Sequence, residues 1–117
     1  MASRPFVRFR MRITSGERVA IGPGKIALLE AIDRTGSITG AAKSLGMSYR
    51  RAWLLLDEMN ASLREPAVDS STGGKRGGGS VLTPAGRRVV ALYRRIEESA
   101  TSAGRRNIER LLDMLSR

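Results

Sequence analysis

Residues Ser37 to Asn60, SITGAAKSLGMSYRRAWLLLDEMN, decide the fold of this chain. Apolar or small residues fall at Ile38, Ala41, Ala42 and Leu45, and again at Met47, Ala52, Leu55, Leu56 and Met59. Both sets step by three and four, the spacing that gathers side chains on one face of an α-helix. A single glycine, Gly46, separates them, and glycine tolerates the left-handed backbone that a sharp turn demands. Ser37 and Ser48 stand where N-caps are wanted. Ala41 and Ala42 are small enough to let a second helix cross closely. The spacing predicts a helix-turn-helix, a unit whose second helix enters the major groove of DNA. An ordinary helical hairpin in a core has the same pattern, so the rest of the chain must choose.

Charge favours the first reading. The chain holds 21 Lys plus Arg against 11 Asp plus Glu, a formal net charge of +10, and a sequence pI near 11.5. Most of the positive charge is arginine, whose forked donors suit phosphate and guanine. A polyanionic partner is implied, and nucleic acid fits it best. An anionic membrane surface fits less well, because the basic residues are dispersed rather than gathered on one amphipathic helix. Ribosomal and RNA-binding chains share this balance, so charge alone does not select DNA.

The 117 residues suit one domain, 41% of them are hydrophobic and only 4% aromatic. No cysteine is present, which excludes a disulfide framework or thiolate metal site and fits a reducing cytoplasm. No apolar run is long enough to span a bilayer, and the N-terminus lacks a signal-peptide core. A cytoplasmic, nucleoid-associated protein with no membrane partner is expected.

Before the helix-turn-helix, Arg4 to Ile13 alternates strictly, with Val7, Phe9, Met11 and Ile13 on one side and Arg8, Arg10 and Arg12 on the other. Period two predicts a half-buried strand. Thr14 to Glu17 is turn chemistry and Arg18 to Ile21 a second strand, so residues 1–22 read as a β-hairpin. The arginine face is assigned to solvent or to a second subunit rather than to DNA. Gly22-Pro23-Gly24 ends the hairpin. A helix from about Lys25 to Thr35 follows, with Ile26, Leu28, Leu29 and Ile32 as its stripe and Gly36 as its stop.

On the third helix, about 100° per residue places Ala52, Leu55, Leu56, Met59 and Leu63 inward. Tyr49 and Trp53 fall at the edge of that side, and only Tyr49 is assigned a contact. Ser48, Arg50, Arg51, Asp57 and Glu58 point outward, basic residues first and acidic ones further along. That polarity suits a recognition helix, whose leading turns reach base edges; a merely solvated face is the bland alternative. Leu54 also falls outward and marks a possible subunit or partner surface.

Pro66 breaks the helix. Short strands are predicted at Ala67 to Ser71 and Ser80 to Leu82, around the loop Thr72-Gly-Gly-Lys75-Arg76-Gly-Gly-Gly79. A glycine-rich loop with a basic tip behind a helix-turn-helix reads as the wing of a winged helix, gripping phosphates or the neighbouring groove. It lacks the Gly-Lys-Ser/Thr of a phosphate-binding loop and the βαβ setting of a dinucleotide site. Thr83-Pro84 starts a further helix with Val89, Val90, Tyr93, Ile96 and Ala100 inward and Arg87, Arg88, Arg94 and Arg95 outward. A kink or break is expected within Ser99 to Gly104. The stripe Ile108, Leu111, Leu112 and Leu115 then needs a cover, for which a two-fold partner is preferred. The expected architecture is mainly α with small β elements. It is one winged helix-turn-helix domain over 1–117, with residues 1–22 as hairpin, 23–82 as helix-turn-helix plus wing, and 83–117 as a C-terminal dimerisation segment.

The run GPGKIALLEAIDRTGSITGAAKSLGMSYRRAWLLLDEMN, followed by TGGKRGGGSVLTPAGRRVVALYRRI, resembles the N-terminal DNA-binding domain of ModE-type molybdate-responsive transcriptional regulators, itself related to LysR-type winged helices. The resemblance runs from about Gly22 to Ile96. It rests on GSIT-AAK-LGMSY--AW, the EMN closing the recognition helix, and the TGG-GGG wing closed by VLTP-G. It implies a homodimeric repressor or activator on a palindromic double-stranded operator. By match to the motif, Ser48, Tyr49 and Arg50 would make groove contacts, and Thr39, Lys43, Lys75 and Arg76 the flanking ones; Arg51 is added to the contact set by its place on the outward basic turn. Full members of that family carry C-terminal molybdate-binding domains, whereas this sequence stops at Arg117. No cofactor is therefore expected, and molybdate or another oxyanion effector finds no support in these residues. Met1 and the unbroken pattern set the expectation of a complete chain, controlled by its abundance, a separate effector-sensing protein or an unknown ligand.

Catalysis is not expected. The chain has no histidine and no cysteine, which removes the commonest bases, nucleophiles and zinc ligands. Its paired carboxylates, Asp57-Glu58 and Glu97-Glu98, are adjacent in sequence and diverge on a helix. The alternatives to a sequence-specific regulator are a non-specific architectural protein that coats DNA and a winged helix that docks on another protein.

Overall fold

A computed structural model describes residues 4–70 and 79–116. Two short β-hairpins flank a three-helix core, and two further helices follow. The first hairpin pairs β1 (Ile13–Ser15) with β2 (Arg18–Ile21), antiparallel, with Ser15 opposite Arg18. Gly16, at φ 63°, opens the two-residue turn, and among the described residues only glycines have positive φ. That combination is a type II′ turn, whose twist matches the strands it joins.

The hairpin is shorter than the alternation predicts: residues 4–12 form no ladder, so it occupies 13–21 rather than 1–22. Period two describes a ribbon with two faces, but a strand also needs a neighbour for its backbone groups, and four-residue β2 offers none so far upstream. Of the alternating apolar row, Met11 packs on the core, while Phe6, Val7, Phe9 and Ile13 are exposed, Phe6 by 68%.

Helix α1 (Pro23–Thr35) starts two residues before the expected Lys25, with proline in its first turn, where a missing N–H costs nothing. Ile26, Leu28, Leu29, Ala31 and Ile32 are all fully buried, so α1 is enclosed on more than one side. Gly36 ends it at φ 78°, its N–H donating to the Ile32 carbonyl at 2.7 Å. Helices α2 (Ile38–Ser44) and α3 (Tyr49–Ser62) pack on α1 through Ile38, Ala41 and Ala42, and through Ala52, Leu56 and Met59.

Beyond α3, β3 (Val68–Asp69) pairs antiparallel with β4 (Val81–Leu82), Val68 opposite Leu82. These are the two strands of the wing. Its tip, with Lys75 and Arg76, lies outside the described residues. The Asn60 amide oxygen accepts the Ala67 N–H at 2.8 Å, and Gly36, between α1 and α2, accepts the Ser80 N–H at 2.9 Å. Both bonds fasten the wing to the core.

Thr83 caps α4 (Pro84–Ala103): its Oγ1 accepts the Gly86 N–H at 3.0 Å and donates to the Pro66 carbonyl at 2.6 Å. Helix α4 runs unbroken through Ser99 to Ala103 and stops at Gly104, where α5 (Arg105–Asp113) begins. Tyr93 is buried and donates to the Met11 carbonyl at 2.9 Å, anchoring the N-terminal segment. Ile96, expected inward, is instead exposed, because α4 has by then run past the core that covers Val89, Val90 and Tyr93. Arg94 grips Glu30 on α1 with two nitrogens, at 2.5 and 2.9 Å, and Glu97 with a third. Those hydrogen bonds hold its guanidinium above the usual arginine range. Arg87 pairs with Asp33 at 3.3 Å. No residue of α5 is buried.

Two measurements check this packing. A Cβ on Gly86 would lie 2.1 Å from the Ala67 carbonyl oxygen, so Gly86→Ala should cost about 1–3 kcal/mol in urea denaturation. Burial, reinforced by Glu97, pushes the Tyr93 phenol above its ordinary value. The unfolded chain therefore loses that proton first, and stability should fall as pH rises past about 10. Tyr93→Phe should flatten that alkaline decline.

Candidate nucleic-acid interface

The turn between α2 and α3 sets the geometry. Ser37 caps α2, its Oγ accepting the Gly40 N–H at 2.8 Å. At the other end Met47 donates to the Ala42 carbonyl at 3.0 Å and Gly46 to the Lys43 carbonyl at 3.1 Å, with Gly46 at φ 67°. This six-to-one and five-to-two pair is a Schellman motif. One residue later Ser48, in extended conformation, caps α3 by accepting the Arg51 N–H at 3.0 Å. The backbone polar groups at this corner are met locally, so the corner can stand in solvent.

Helix α3 then shows two faces. Ala52, Leu56 and Met59 are buried, Leu55 and Leu63 partly so, and Tyr49, Arg50, Arg51 and Leu54 are exposed. Tyr49 is 53% exposed and meets Trp53 edge-on, centroids 6.2 Å apart at 76°. Thr39 and Lys43 are exposed on α2. The structure therefore leaves six of the expected contact residues exposed, Thr39 and Lys43 on α2 and Ser48 to Arg51 at the start of α3. Ser48 has a first duty there as a cap; only its hydroxyl hydrogen and remaining lone pair are left for a ligand.

The charges sort in the same direction. Among the described residues, neither Arg50 nor Arg51 nor Lys43 takes part in an ion pair. Glu58 instead turns to Lys25, a buried lysine on α1, at 3.2 Å, and Lys25 also donates to the Val19 carbonyl on β2. That bond partners one of the two acidic groups of α3, both of which lie beyond its leading turns, where the helix dipole is positive. Sequence reading missed Lys25 altogether, since a lysine at the start of a helix ordinarily points into water. It also left Arg34 aside. This side chain, at the end of α1, donates to Ser44 Oγ at 3.3 Å and adds a cation beside the turn. No signal in the local pattern marks either residue.

Among the described residues, no three carboxylate, histidine or cysteine groups gather to hold a metal ion, and no helix is long and apolar enough to cross a membrane.

A helix-turn-helix with wing strands behind it and a cationic leading edge defines the winged helix-turn-helix class. Residues 24–87, more than half the chain, match the bacterial regulatory helix-turn-helix proteins of the lysR family, and the chain belongs to that family. It is 46% identical over 102 residues to the molybdenum transport protein ModE of Azotobacter vinelandii, covering 87% of this chain and 38% of that protein. It is 51% identical over 77 residues to the molybdenum-pterin-binding protein MopB of Rhodobacter capsulatus, covering 66% and 28%. With the DNA-binding transcriptional dual regulator ModE of Escherichia coli K12 it shares 43% over 77 residues, covering 66% and 29%. The chain thus spans less than two-fifths of each of these relatives. Among solved structures, that of a CbnR DBD–DNA complex is similar, with a TM-score of 0.55 and 27% identity over 72% of this chain and 91% of that one.

Ser48→Ala should cost about 1 kcal/mol of stability, as loss of an N-cap hydroxyl does. Faster hydrogen exchange at the Arg51 amide would locate the loss in the first turn of α3.

Proposed function

We propose that this chain binds double-stranded DNA sequence-specifically as a transcriptional regulator, with α3 in the major groove and the wing on flanking phosphates. One observation carries the reading: Arg50 and Arg51 are exposed on the leading turn of α3 and in no ion pair among the described residues, while Ala52, Leu56 and Met59 on the opposite face are buried in the core. In this reading Ser48, Tyr49, Arg50 and Arg51 face base edges and nearby phosphates. Thr39 and Lys43 on α2, with Lys75 and Arg76 in the wing sequence, take the backbone on either side. The segment needs no cofactor for this, and it acts in the cytoplasm on the nucleoid.

The regulator is proposed to work as a homodimer on a palindromic operator. Support comes from apolar side chains left bare: Phe6, Phe9 and Ile13 near the N-terminus, Leu92 and Ile96 on α4, and Leu111 on α5. Phe9 and Ile96 line one hollow together, a contiguous apolar patch on a surface marks an interface, and a two-fold partner would place two α3 helices on two half-sites.

Selection of bound fragments from genomic DNA, with and without molybdate and tungstate, tests the reading. A palindromic motif is expected, and the oxyanion arms determine whether either ion alters recovery. On the recovered operator Arg50→Ala should cost about 1–3 kcal/mol and relax the preference at one position, whereas Lys75→Ala should weaken all duplexes about equally. Equal binding of operator and random duplex would overturn the sequence-specific reading in favour of a DNA-coating protein. Unchanged DNA affinity after charge reversal at Arg50 and Arg51 would favour a protein-docking module.

A further inference from the structure

Leu54 is 55% exposed on α3, in the middle of the face opposite Ala52 and Leu56. It lies one turn beyond Arg50, roughly 6 Å along the helix axis. A lone exposed leucine elsewhere on a surface is ordinary. Here the neighbours three and four residues away are Arg50, Arg51, Asp57 and Glu58, all exposed, and Leu54 is not among the described side chains that pack on the core. Tyr49 and Trp53 meet edge-on along the adjoining flank.

We propose that Leu54 reads a thymine through its C5-methyl group, beside the contact made by Arg50. This deepens the DNA-binding reading and rests on α3 being the recognition helix. The chemistry follows from what the groove presents. Every base pair shows donors and acceptors along its major-groove edge, and thymine alone adds an apolar group, its methyl. A leucine pressed against any other edge would strip water from polar atoms and return no hydrogen bond. Against thymine it removes the methyl and its own terminal carbons from water together. Arg50 and Leu54 would then divide the work, the guanidinium taking charge or guanine and the isobutyl group taking thymine at a neighbouring step.

The test uses the operator recovered from genomic selection, with each thymine replaced singly by deoxyuridine. That change keeps both hydrogen-bonding edges and removes only the methyl. The wild-type chain should lose about fourfold in affinity, the worth of one buried methyl group, at one thymine of each half-site. Leu54→Ser should show no loss at that same position while staying folded, its thermal midpoint lowered only by the small helix-propensity difference between leucine and serine, since Leu54 is not among the described side chains packed on the core. Undiminished wild-type binding to every uracil-substituted operator overturns the proposal, and so does full uracil sensitivity in Leu54→Ser, which would return Leu54 to a protein-docking role. Failure of the underlying reading looks different: the wild-type chain would then bind the unmodified operator no better than random duplex.

Discussion

Small side chains at Ala41, Ala42 and Ala52, all buried, let α2 and α3 settle closely on α1, with Ile38, Leu56 and Met59 filling the space around them. Larger side chains there would lift both helices from the core, because a packed interior does not yield to extra volume without strain. With α1 enclosed on several sides by its own Ile26, Leu28, Leu29 and Ile32, the fixed end of the arrangement is rigid. Helix α3 is thus anchored along one face only, and the other is left bare by construction. The Schellman turn at Gly46 completes this, since it closes the orphan carbonyls of α2 and delivers the chain to a new cap at Ser48 within two residues.

A second junction forms at Ala67, where the recognition helix, the wing and α4 come together. Its N–H goes to Asn60 on α3, its carbonyl receives the Thr83 N–H, and Gly86 passes so close that no Cβ fits. The wing strands are only two residues each, too short to stand alone. They keep their place because these bonds hold both ends of the loop to the helices that bracket it.

Arginine serves two purposes in this chain. Arg87 and Arg94 pair with Asp33 and Glu30 and tie α4 to α1, and Lys25 ties α1 and β2 to Glu58. The α2–α3 corner receives none of the described acidic partners, so its cations stay available. Glu30, Asp33, Glu58 and Glu97 are taken up in pairs that brace the helices, and among the described residues none of them pairs with Lys43, Arg50 or Arg51.

The amino-acid order by itself determined the helices and their punctuation. Residues three and four apart, a serine or threonine cap and a glycine stop act within one or two turns, so α2, the Gly46 turn, α3, Thr83-Pro84 and the break at Gly104 could all be read from neighbours. The outward row of Arg50, Arg51 and Leu54 followed from the same periodicity. Tertiary structure decided what depends on distant partners. Lys25 is buried because Glu58 and Val19 come to meet it. Residues 4–12 form no strand because no neighbour reaches them. Met11 is held by a tyrosine 82 residues away, and Ile96 is bare because the core ends before it. Each outcome turns on which surfaces meet across the fold, and no local pattern of side chains specifies that.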